Sequence, residues 1–324
     1  MSILVEGVWQ DELEYLGGDS EGRFQRKESG FRDWIDADPS ARFPAQPGRY
    51  RLYVSLACPW AHRALIVRRL KGLEAMIPVT VVDPIMGPRS WHFSRERGCE
   101  PDPELGSEWL YELYLAADPT FSGVPTVPLL WDCQTRTIVN NESSEIVRIF
   151  NSAFDSVGAR SEVDLYPESL REAIDAVNAL VYDNVNNGVY RAGFATTQAA
   201  YEEAYEAVFA TLDELERRLG EQRYLCGDST TEADWRLFTT LIRFDAVYHG
   251  HFKCNHRRLI EYPHLWGWTR ELYQWPGVAQ TVDFDHIKRH YYLSHRQINP
   301  TGIVPKGPEL TLLAAHGRGD IHGG

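Results

Sequence analysis

Two kinds of apolar spacing divide the chain. Tyr50 to Ala57 (YRLYVSLA) is aromatic and β-branched and predicts a strand. From Trp60 the period changes: Trp60, Ala64, Val67 and Leu70 recur at helical spacing until Gly72. Pro78 to Val82 (PVTVV) predicts a second strand, so this start is a strand–helix–strand unit with a right-handed crossover. A long insertion, residues 83–123, carries GPRSWHF around Trp91. The sheet pattern returns at Val124 to Asp132 and at Thr137 to Asn140. A helix is then predicted from Ser143, with Glu145 in the first turn, where the helix dipole favours a carboxylate.

Beyond Asp164 only the helical period remains. Leu170, Ile174, Val177 and Val181 mark one amphipathic helix; Ala204, Val208, Leu212, Leu215 and Leu219 mark another, closed by Gly220. Thr231 to Asp234 (TEAD) resembles a capping box ahead of Trp235, Phe238, Leu241 and Ile242. Pro263 opens a helix through Leu265, Trp268 and Leu272 that Trp275-Pro276-Gly277 ends. The expected organisation is an extended arm over 1–48 and a mixed α/β domain over 49–160 with its insertion at 83–123. An all-helical domain over 165–288 and a tail over 289–324 complete it.

Composition narrows the class. Of 324 residues, 43% are hydrophobic and 24% charged, as in a globular protein of two ordinary domains. The net charge is −13, from 33 basic and 46 acidic residues, with no basic stripe, which argues against nucleic acid or an anionic membrane as partner. The 5 cysteines (Cys58, Cys99, Cys133, Cys226, Cys254) are scattered without zinc-ligand spacing or disulfide-scaffold density, so no metal site is expected. The acidic start lacks the features of a signal peptide, and the apolar runs are too short to span a bilayer. A cytoplasmic setting is expected, and there an unusual cysteine is more often catalytic than structural.

That cysteine is Cys58, in SLACPWAHRAL. Pro59 suits the first position of a helix, where its missing N–H costs nothing. Cys58 then falls at the N-cap, its sulfur aimed at the N–H groups of Trp60 and Ala61, which together with the dipole stabilise a thiolate. His62 and Arg63 place positive charge in the first turn. The plainer alternative is a small buried cysteine closing a strand. Ala61 occupies the position of the second thiol of a CxxC oxidoreductase, so a mixed disulfide at Cys58 would need an external thiol to resolve it.

The order of strands and helices, the CPWA motif, a Glu-Ser pair and the all-helical second half resemble a glutathione transferase of the cysteine type. WLYELY (Trp109 to Tyr114), NNESSEI (Asn140 to Ile146), NNGVYRAGFA (Asn186 to Ala195) and INPTGIVP (Ile298 to Pro305) are similar to the glutathionyl-hydroquinone reductases, the omega-like Xi class. The resemblance covers residues 5 to 308. It implies an α/β plus all-α fold: an N-terminal thioredoxin-like domain and a C-terminal all-helical glutathione-transferase domain. Glutathione is the implied co-substrate and glutathionylated hydroquinones the implied substrates, with a homodimer as the implied assembly.

Residue by residue, the resemblance makes Cys58 the nucleophile. It implies a cis peptide at Val127-Pro128, whose backbone pairs with glutathione's cysteinyl part like an added strand. It places Glu142 and Ser143 at the γ-glutamyl end, where a carboxylate suits the ammonium and a hydroxyl with helix N–H groups suits the carboxylate. Trp91 would lie against glutathione, and Tyr190 and Tyr291 would line the hydroquinone site as hydrogen-bonding phenols. Each residue has an ordinary structural reading as well: a trans strand-edge proline, a helix start, a core tryptophan, packing tyrosines. One departure stands out. The family's GRVTVP reads GVPTVP here (Gly123 to Pro128), so Val124 replaces an arginine near the glutathione site. Arg318-Gly319-Asp320 has the form of an integrin ligand, a match that three residues make by chance.

Two rival functions keep the same fold. One is another monothiol activity, such as dehydroascorbate reduction or protein deglutathionylation. The other is a non-catalytic protein that binds aromatic ligands.

Overall fold

The computed structural model describes residues 3–10 and 18–321. Residues 1–2 and 11–17 of the expected arm and 322–324 of the expected tail lie outside the described residues. The chain gathers into two compact units: residues 1–16, 28–163 and 285–294 in the first, and 17–27, 164–284 and 295–324 in the second.

The first unit opens with a short antiparallel pair, β1 (Ile3–Val5) and β2 (Val8–Gln10). Their turn passes through Gly7 at φ +77°, where a Cβ would sit 2.0 Å from the Pro119 carbonyl oxygen, so only glycine fits. Then come β3 (Tyr50–Val54), α1 (Pro59–Leu70), β4 (Val79–Val81), α2 (Leu110–Ala117), β5 (Leu129–Asp132), β6 (Thr137–Asn140) and α3 (Ser143–Ser152). The four-stranded sheet has the order β4-β3-β5-β6. β3 and β4 are parallel across α1, while β5 and β6 form antiparallel pairs. This is a thioredoxin-like domain. Its sheet buries Leu52, Val54, Leu130 and Trp131, and its helices bury Ala61, Ala64, Ile66 and Ile146, all fully.

The strand expected over Val124 to Asp132 is confined to Leu129–Asp132, because Pro125 and Pro128 cannot donate to a ladder. The insertion holds α2, whose buried Leu110, Leu113 and Tyr114 share one face. The arm also does more than extend. The Asn141 N–H donates to the Phe31 carbonyl, the Phe31 N–H to Asn141 Oδ1, and the Asp33 N–H to the Val139 carbonyl, so residues 31–33 cover the open edge of β6.

The second unit is helical: α4 (Arg171–Val181), α5 (Gly188–Gly193), α6 (Gln198–Glu221), α7 (Glu232–Leu241) and α8 (Pro263–Tyr273). Wide π-type turns at Tyr182–Asn186 and Phe244–Tyr248 interrupt the α-helical pattern. α6 runs through Gly220 and ends at Glu221, one residue past the expected stop. The Thr231–Asp234 capping box forms as the spacing predicts. Buried Asp234 also accepts from the Leu225 N–H at 2.9 Å and from Trp268 Nε1 at 3.1 Å. The last helix, α9 (Phe284–Ser294), spans position 288, where the helical pattern is expected to give way to a tail. From Asp285 onward it belongs to the first unit.

Candidate active site

Cys58 is the N-cap of α1, with Pro59 at the first helical position. Its sulfur accepts the Ala61 N–H at 3.5 Å, and its thiol donates to the Val127 carbonyl at 3.5 Å. The residue is 8% exposed. A thiolate here meets a helix N-terminus whose N–H groups point at it. The Val127-Pro128 peptide is cis, as the resemblance implies, and the Val127 carbonyl faces the sulfur. Burial raises the other thiols: Cys133 to about 12, Cys226 to about 11, Cys254 to about 12, and Cys99 upward. All four therefore stay protonated near neutrality and are poor nucleophiles. No disulfide joins any of the five cysteines.

Glu142 caps α3, its side chain accepting the Ser144 N–H at 3.0 Å and the Ser144 hydroxyl at 2.9 Å. The Ser29 hydroxyl, 113 residues away in sequence, donates to the other carboxylate oxygen at 3.1 Å. Burial pushes Glu142 up, but the Ser144 hydrogen bonds, the Arg63 charge and Ser29 together hold it below the usual carboxylate range. Ser143 is buried beside it. Arg63 Nη1 donates to Ser143 Oγ at 3.4 Å, and the guanidinium lies 4.5 Å from the centroid of the Trp60 ring.

Tyr114, fully buried on α2, ties these corners together. Its hydroxyl donates to the Thr126 carbonyl at 2.7 Å and accepts the Thr126 N–H at 3.0 Å and Asn141 Nδ2 at 3.1 Å. One phenol thus fixes both the backbone before the cis peptide and the residue before Glu142. Burial raises its own pKa, so it remains a neutral phenol. Sequence reasoning assigned no role to Tyr114 or Ser29, and to Arg63 only a positive charge near Cys58. WLYELY marked Tyr114 only as part of a family string, and the first-turn position of Arg63 gave no direction.

Trp91 is buried, with its ring stacked on that of His290 at 4.8 Å and 20°. His290 Nδ1 lies 2.9 Å from the Pro84 carbonyl, which can only accept, so that nitrogen carries the proton. Tyr291 follows on α9, fully buried and edge-on to His290. Tyr190 belongs to the second unit, on α5. Its ring packs near Phe24 (6.4 Å), Phe194 (6.2 Å), Tyr248 (6.1 Å) and Phe252 (5.4 Å), with the Arg26 guanidinium 4.9 Å from its centroid. Phe24 and Arg26 come from the arm, where the sequence pattern gave no sign of them. Beside this cluster His251 and His295 share a 3.2 Å contact between ring nitrogens; burial, aided by Lys253, lowers His251 to about 4 and keeps it neutral. Among the described residues no three His, Cys, Asp or Glu side chains gather to hold a metal ion, and no helix is long and apolar enough to cross a membrane.

Comparison with known proteins identifies the family. Residues 57–153 match the family model of the glutathione S-transferase N-terminal domain, and 198–271 that of the C-terminal domain. Glutathionyl-hydroquinone reductase YqjG of Escherichia coli is 52% identical over 98% of both chains. Its glutathione-bound structure superposes with a TM-score of 0.89 at 50% identity, covering 98% of each chain. Glutathionyl-hydroquinone reductase PcpF of Sphingobium chlorophenolicum is 54% identical over 96% of this chain and 98% of its own length. A Xi class transferase from Natrialba magadii superposes with a TM-score of 0.93 at 47% identity, covering 100% of this chain and 98% of its own. With identity above 50% and matching fold over essentially its whole length, the chain belongs to the glutathione S-transferase family, in the Xi class that includes the glutathionyl-hydroquinone reductases.

Proposed function

We propose that this protein is a glutathione-dependent reductase that removes glutathione from glutathionyl-hydroquinones. The observation that carries the reading is the Cys58 sulfur at the start of α1, facing the Val127 carbonyl, with Ala61 where a resolving thiol would stand. The Cys58 thiolate attacks the glutathione sulfur of the substrate. The carbon–sulfur bond breaks, its electron pair goes to the ring carbon, and that carbon takes a proton, releasing the hydroquinone. Cys58 is left as a mixed disulfide with glutathione. A second glutathione, as thiolate, attacks this disulfide; GSSG leaves and the Cys58 thiolate returns.

Glutathione is held by Trp91, by Val127 and Pro128 through the cis-peptide backbone, and by Glu142 and Ser143 at the γ-glutamyl end. Tyr190 and Tyr291 hydrogen-bond the hydroquinone oxygens and assist protonation of the ring carbon. The protein acts as a homodimer in the cytoplasm, a setting consistent with five cysteines and no disulfide.

The test is turnover of glutathionyl-menadiol by wild type and Cys58→Ser, with GSSG and menadiol both measured. Wild type should show ping-pong kinetics and a Cys58–glutathione adduct by mass spectrometry. Cys58→Ser should show neither turnover nor adduct, and wild-type rates in that variant would sink the mechanism.

A further inference from the structure

We propose that Arg63 is the positive pole of the γ-glutamyl subsite, a positioning residue that acts on the ligand's α-carboxylate through the Ser143 hydroxyl. The inference rests on the glutathione reading above and adds a specificity-determining residue to it. Arg63 is a charged side chain only 2% exposed, and its Nη1 stands 3.4 Å from Ser143 Oγ. It leaves α1 at the fifth helical residue and reaches across to the first residue of α3, 80 positions later. A guanidinium has donors only, so Ser143 Oγ must accept from it. The Ser143 hydroxyl proton is then directed onward, where it can serve a ligand carboxylate beside the N-terminal N–H groups of the ten-residue α3.

The neighbouring Glu142 completes the charge pattern. Its carboxylate already receives the Ser144 N–H, the Ser144 hydroxyl and the Ser29 hydroxyl. A carboxylate accepts about four hydrogen bonds, so about one position is left for an ammonium. An α-amino acid end presents an ammonium and a carboxylate together. Glu142 faces the first, and Arg63 through Ser143 faces the second, so each charge in a water-poor site meets its opposite. A plain amine or a plain acid would leave one of the two unmatched, which makes the pair selective for the zwitterion. Trp60 backs the guanidinium with its ring face and fixes its direction.

The experiment measures binding of S-methylglutathione and of its γ-glutamyl α-carboxamide analogue by calorimetry, in wild type, Arg63→Met, Ser143→Ala and the double variant. Wild type should prefer the acid, and Arg63→Met should cut the acid-to-amide preference roughly tenfold, the scale of one charge-assisted hydrogen bond. Ser143→Ala should cut it similarly, and the double variant should lose little more, because both substitutions break one relay. Should Arg63→Met fail to fold, Arg63→Gln keeps a polar tip without charge, and the preference should still fall by most of that factor. A variant that weakens acid and amide equally, leaving the preference intact, would reduce Arg63 to a packing residue and overturn the inference alone. Wild type that takes up neither ligand would overturn the glutathione reading itself, and the inference with it.

Discussion

Glu142 is held by Ser144 close by and by Ser29 and Arg63 from far along the chain. Burial opposes its charge, and the donors of Ser144 and Ser29 with the Arg63 cation outweigh that opposition, so its folded pKa is depressed below 4.5. A carboxylate of this kind adds stability above its unfolded pKa and loses it as the pH falls through the lower folded value. Removing one donor shrinks the depression. Ser29→Ala is therefore expected to be less stable than wild type at neutral pH by about 1–2 kcal/mol, with the gap closing as the pH falls through the depressed folded value. Denaturant unfolding at neutral pH and near pH 3 measures both gaps, and equal gaps would show that Ser29 does not act on Glu142. Cys58 was legible in the sequence because its role is local: Cys-Pro after a strand and before a helix fixes the N-cap. Ser29 and Arg63 were not, because their partners lie 113 and 80 residues away and no local pattern encodes a meeting at that range. The loss of an arginine at Val124 reads differently once Arg63 is seen beside Ser143, since a cation still stands at that end of the site.

Among the elements, those with one clean period were read correctly. α1, β6, α3 and α8 form where alternation or helical spacing meets a proline or a capping residue. α2 was hidden inside an insertion whose flanks have no periodicity, and α9 was divided by a boundary drawn at 288. The packing of α9 explains that error. His286 Nε2 lies 2.9 Å from the Arg97 carbonyl, His290 Nδ1 lies 2.9 Å from the Pro84 carbonyl, and Ser294 Oγ accepts the Met86 N–H at 3.0 Å. These contacts recur every four residues, one face of a helix sewn to the insertion, and polar residues at that spacing look like solvent-facing positions in sequence. His290 also stacks on Trp91, so α9 supports the ring proposed to cover glutathione. His290→Ala should lower hydrogen-exchange protection at Phe93 and Leu110, whose N–H groups bond to Glu108 and Trp91, while β5 stays protected. Unchanged protection at both amides would mean that α9 does not hold the insertion in place.

At the scale of the whole molecule the chain is not two halves joined once. Residues 17–27 and 295–324 belong to the helical unit, and 285–294 to the thioredoxin-like one. Segment 295–324 does more than the tail expected over 289–324. Arg318 is 2% exposed, so its Arg-Gly-Asp triplet offers no accessible arginine to another protein. Its Nη1 donates to the Leu219 carbonyl at 2.9 Å, and its Nη2 donates to the carbonyls of Gln222 at 3.0 Å and Arg223 at 2.6 Å. These are carbonyls at and just past the end of α6, where a cation is favoured. Arg318 Nε pairs with Glu271 of α8 at 3.3 Å. Gly267 makes the approach possible, since a Cβ there would come within 2.8 Å of the His316 carbonyl. Gln274 adds two bonds, to the carbonyls of Leu312 and Ala314, each at 2.8 Å. The segment thus latches α6 to α8. Removing a buried partner from such a network costs about 3 kcal/mol or more. Arg318→Ala and truncation after Thr311 should both lower the melting temperature of the helical unit. Arg318→Lys should recover little, because one ammonium cannot span three carbonyls and a carboxylate. A truncated chain that melts with the full-length protein would instead make these residues the plain tail expected over 289–324.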